Sequence, residues 1–75
     1  MGTLVFQDGT AEYQWATDVA FDGVRLEILS SEGDMLFDVS IPDIGPMTIN
    51  TFSKEIAAEV ILAAVEVARS ATRIA

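Results

Sequence analysis

Apolar and polar residues alternate with a period of two along "AEYQWATDVAFD", residues 11–22. Ala11, Tyr13, Trp15, Thr17, Val19 and Phe21 fall on one side, and Glu12, Gln14, Ala16, Asp18, Ala20 and Asp22 on the other. Successive side chains of a strand point to opposite faces, so this run predicts a half-buried strand over about 10–21. Asp8-Gly9 and Asp22-Gly23 flank it, and Asp-Gly suits a type I′ hairpin turn because both central residues need φ > 0. A second alternating run places Val24, Leu26 and Ile28 against Arg25, Glu27 and Leu29. After "SSEGD", a turn by composition, Met35, Phe37, Val39 and Ile41 alternate with Leu36, Asp38 and Ser40, and Pro42 ends the run. The pattern predicts strands at about 3–7, 10–21, 24–30 and 34–41. A connecting loop follows over 42–51, in which "MTIN" is a candidate for a brief pairing.

From residue 52 the period changes to that of a helix. Ile56, Val60, Ala64, Val67 and Ala71 cluster on one face, flanked by Ala57, Ile61 and Ala68, while Glu55, Glu59, Glu66, Arg69, Ser70 and Arg73 lie opposite. Thr51 or Ser53 is the N-cap candidate, and the acids near the start and arginines near the end suit the helix dipole. These elements predict an α+β fold: a four-stranded antiparallel β-meander (ββββ), packed on one face by a single C-terminal α-helix over about 52–73. The length of 75 residues fits one domain, with the sheet over about 3–41.

The turns set an expected register. With Asp22-Gly23 and Glu32-Gly33 as two-residue loops, Thr17 faces Ile28, and Ile28 faces Phe37, so the inner face closes into apolar pairs. On the outer face Asp18 then faces Glu27, and Glu27 faces Asp38. Three carboxylates in one row are a candidate site for a cation or a basic protein partner. A solvated acidic face is the plainer explanation of the same row. No D-x-[DN]-x-[DN]-G calcium loop is present in the sequence, so no metal site is assigned.

Composition narrows the function classes. The net charge is −8, from twelve acids and four bases. Residues 1–50 hold nine of the acids and one base, Arg25, so the excess charge lies in the sheet-forming part. Such a chain is not expected to bind nucleic acid directly or to dock on an anionic membrane, since both need Lys and Arg. The chain has no His and no Cys, which removes the usual nucleophiles, bases and structural zinc ligands. Phosphate-loop spacings are absent as well, so the expectation is a non-enzymatic protein without cofactors. Tyr13 and Trp15 read as core, because no basic residues interleave with them as in a base-stacking platform. "MGTLVFQDG" lacks a basic segment followed by an apolar one, so no signal peptide is expected, and the chain reads as cytoplasmic.

The helix carries more apolar surface than a small sheet needs. "EIAAEVILAAVEVA" is too short and too acidic to span a bilayer. Ala58, Leu62 and Val65 read as a flank between its core and charged faces, and thus as a self-association surface. The hydrophobic fraction of 51% and mean hydropathy of +0.39 are high for a domain whose core is marginal at this size. Without disulfides or metal, oligomerisation is the remaining means of stabilisation. The sequence therefore points to a small homodimeric protein–protein interaction module. The alternative is an acidic inhibitor that mimics nucleic acid and fills the basic groove of a nucleic-acid-binding protein, by analogy of size and charge with small phage and anti-defence proteins.

Overall fold

Alternation along the first 50 residues produces an antiparallel sheet, and the helical period after it produces one helix. The computed structural model describes residues 2–7, 9–17 and 22–74, with only the helix path given at 71–74. The strands are β1 (Gly2–Phe6), β2 (Gly9–Thr17), β3 (Gly23–Leu29), β4 (Met35–Pro42) and β5 (Thr48–Asn50), followed by α1 (Ala58–Ile74). Each strand pairs with the next, in the order β1-β2-β3-β4-β5. Among the described residues the sheet thus has five strands, not the expected four. The added strand is the brief pairing of "MTIN", with Asn50 opposite Asp38 and Ile49 opposite Val39. Three residues are too few to show a period, which is why alternation alone does not declare it.

The β3–β4 register is the expected one, with Val24 opposite Ile41, Leu26 opposite Val39 and Ile28 opposite Phe37. It shifts after Ile28, so that Leu29 meets Met35 rather than Leu36. The connecting turn is wider than two residues. Ser30 N donates to Asp34 O, Gly33 N donates to Ser30 O, and Ser30 Oγ accepts from the backbone N–H groups of Glu32 and Asp34.

The β2–β3 register departs from expectation. Thr17 faces Val24 instead of Ile28, a slide of four residues along β3. Asp22-Gly23 is not a two-residue loop, because Thr17 rather than Phe21 faces Val24 and Gly23 opens β3 opposite Pro42; residues 18–21 of the expected second strand lie outside the described residues. An even slide keeps every side chain on its own face, so the inner face remains apolar in either register. The polar face separates the two registers, as shown below.

Among the described residues, ten apolar side chains form the core: Leu4 and Ala11 from the first hairpin, Leu26, Ile28, Phe37, Val39 and Ile41 from β3 and β4, and Val60, Ala64 and Ala68 from α1. The helical trio recurs every four residues, so one stripe of α1 meets the sheet, where it contacts β1, β3 and β4. Tyr13, expected in the core, is half-buried against it, and Trp15, expected there too, is 38% exposed opposite Leu26.

The helix starts six residues later than residue 52. Phe52 and Ser53 have φ of 55° and 64°, and Lys54 N donates to Thr51 O at 3.0 Å. Two successive left-handed residues form a tight turn and cannot belong to a right-handed helix. Neither Thr51 nor Ser53 therefore caps α1. Its first bonds run from Val60 N and Ile61 N to the Ala57 carbonyl. No described helix is long and apolar enough to cross a membrane.

Candidate interaction surfaces

The outer face of the sheet carries a polar row across four strands: Gln14 on β2, Glu27 on β3, Asp38 on β4 and Asn50 on β5. Glu27 and Asp38 are neighbours, as the sequence implies. The expected third carboxylate is not opposite Glu27. That place belongs to Gln14, whose Nε2 donates to Glu27 Oε1 at 2.7 Å. Asp18 lies outside the described residues. The register therefore flanks two carboxylates with two amides. Like charges directly opposite destabilise a sheet, whereas an amide donor stabilises its carboxylate neighbour.

Asp38 is only 4% exposed although it lies on the outer face. Arg25, on the adjacent row opposite Ser40, brings Nε to 3.8 Å from Asp38 Oδ2. Burying a carboxylate is unfavourable unless it is paired, so this contact offsets part of that penalty. Towards β1, Thr3 Oγ1 donates to Glu12 Oε2 at 3.0 Å. The outer face is thus a set of cross-strand polar pairs rather than a row of outward-pointing acids. Among the described residues no group of three or more acids is placed to hold a metal ion.

Of the three helix residues, Val65 and Ala58 lie about 100° and 120° around the axis from Ala64, on a flank, whereas Leu62 does not. Leu62 lies about 160° around the axis from Ala64, at 100° per residue, and so points directly away from the sheet. Leu62 is 64% exposed, Ala58 is exposed and Val65 is half-buried. Their spacing of four and then three residues gives a narrow seam bordered by Glu59, Glu66 and Arg69, with Arg69 Nη1 3.9 Å from Glu66 Oε1.

A third surface is the outer edge of β1, which pairs only with β2 among the described residues. Its five residues, "GTLVF", include no charge and no proline, and Val5 is 72% exposed. The opposite edge, β5, is only three residues long and leads into the left-handed turn at Phe52-Ser53. A shallow hollow of about 280 Å³ is lined by Asp22, Pro42, Asp43 and Ile44. Its size is below that of common small-molecule sites, and Ile44 at its rim is almost wholly exposed.

The chain matches no protein family, no curated protein and no solved structure.

Proposed function

We propose that this chain is a small, non-enzymatic protein–protein interaction module that works as a pair of identical copies. The observation that carries the reading is apolar surface left outside on ordered elements, above all Val5 on β1 and Leu62 on α1. Burying part of it against a second copy would supplement a core that is marginal at this size. The absence of His and Cys from the sequence, together with an open sheet face, supports a role in binding rather than catalysis. The outer row weighs against a nucleic-acid mimic, because Gln14 replaces one carboxylate and Asp38 is turned out of solvent reach.

The test is the mass in solution. Sedimentation equilibrium over micromolar concentrations should approach twice the 8.1 kDa chain mass, and added salt should change the result little. A mass of one chain at every concentration would overturn the reading.

A further inference from the structure

We infer that residues 51–57 are a two-state strap: the left-handed turn seen here exchanges with a longer α1 that begins at Ser53, and β5 loosens with it. The exchange needs no second copy of the chain. Here the side chains favour one helix start and the backbone takes another. The helical period reaches back to residue 52, with no Gly or Pro from Phe52 to Ala57. α1 nevertheless starts at Ala58, with the Ala57 carbonyl as its first acceptor. Ala57 is thus the N-cap, and alanine is among the poorest residues there because it has no side-chain oxygen for the first N–H groups. Ser53, of a type that caps well, stands four residues earlier at φ of 64°, in a turn where side chains with a Cβ are strained.

In the longer helix Ser53 is the cap, and the N–H groups of Ala57, Ala58, Glu59 and Val60 find acceptors at residues 53, 54, 55 and 56. Val60 N now donates to Ala57 O in a tighter i→i−3 bond, so its acceptor shifts by one residue. Ile56 stands four residues before Val60 and already packs against the core, so it extends the stripe of Val60, Ala64 and Ala68. Phe52 is 45% exposed and gives up little packing by moving. Against these gains, Lys54 in the first turn opposes the helix dipole, and Glu55 meets Glu59 one turn on. Gains and losses that offset each other in this way are the condition for a second form populated at about 0.1–10%.

Two side chains clasp the turn in the form seen. Asn50 Oδ1 accepts from Phe52 N at 3.1 Å, and Lys54 Nζ donates to Met35 O at 2.7 Å, both in exposed surroundings where water can take over either bond. Asn50 is also the last residue of β5, and this couples the turn to the strand. When the helix lengthens, β5 keeps only its three residue pairs with β4, and all three of its residues are exposed. Few buried contacts and an exposed backbone put such a strand at the low-stability end of a fold. It therefore opens with the strap and uncovers the β4 edge over residues 38–40.

Carbon-13 chemical shifts of the full chain provide the test. Saturation-transfer spectra of the unaltered protein should reveal a minor form with helical Cα shifts at residues 54–57, exchanging at one rate with residues 48–50. Asn50→Ala combined with Lys54→Met deletes both clasps and leaves the strain, and should raise the helical form about tenfold. Phe52-Ser53→Asn-Gly relieves the strain and should lower it about tenfold. All four substituted residues are exposed, and unchanged shifts in β3, β4 and the rest of α1 verify that each variant folds. Should the double variant fail to fold, the unaltered chain and the Asn-Gly protein still decide. The inference is overturned by the lack of a helical minor form in the unaltered chain, by a minor form with random-coil shifts, or by populations that ignore the substitutions. Exchange confined to residues 52–57, with 48–50 silent, overturns it as well.

Discussion

An amide faces Glu27 across the β2–β3 ladder, and the outer face depends on it. Gln14 donates to Glu27 Oε1 at 2.7 Å, while Asp38 stands on the other side of the same glutamate. Gln14→Glu would remove the donor and align three carboxylates, restoring the row that the turn residues alone imply. The variant should be less stable by about 1 kcal/mol at low salt, with part of the loss recovered in high salt. Urea unfolding at two ionic strengths checks this, and an unchanged midpoint would show that the pair is immaterial. The same residue shows what the sequence leaves open. Alternation assigns Gln14 and Glu27 to the outer face in either register, since an even slide moves apolar pairs onto apolar pairs. The discriminating signal is the charge pairing itself: Asp18 opposite Glu27 is repulsive, and Gln14 opposite Glu27 is not. Trp15 is a comparable case, because periodicity gives its face but not how far the helix extends over it.

Among the elements, β2, β3, β4 and most of α1 are legible because each repeats its period several times. β5 and the helix start are not. Thr51 and Ser53 are good cap residues by type, but the backbone enters a left-handed turn there, with bulky Phe52 at φ of 55°. A β-turn with two positive φ values favours Asn followed by Gly, and side chains with a Cβ are strained in it. Asn50 supports this turn, its Oδ1 accepting from Phe52 N at 3.1 Å. Replacing Phe52-Ser53 by Asn-Gly should therefore raise stability by about 1 kcal/mol, despite the loss of a half-exposed ring. A fall in the thermal midpoint instead would mean that Phe52 packs more strongly than its exposure suggests.

At the scale of the whole molecule, the α+β architecture and the helix side of the sheet follow from the order of periods along the chain. Which strand is left at the edge of the sheet does not, because an edge is defined by what fails to pair, and that depends on the final strand order. The same strand order has a kinetic consequence. All strand pairings link sequence neighbours, whereas α1 must return to β1 across almost the full chain length. Local hairpins close small loops, and the helix–β1 contact closes the largest and pays the greatest loop entropy. The meander should thus be largely formed at the folding barrier and α1 should dock after it. In a chevron analysis Ile28→Val should mainly slow folding, and Val60→Ala should mainly hasten unfolding. The opposite partition would place the helix in the nucleus. A late-docking helix also means that the chain first becomes a bare sheet with its apolar face uncovered, so the rate at which α1 closes sets how long nascent molecules can aggregate.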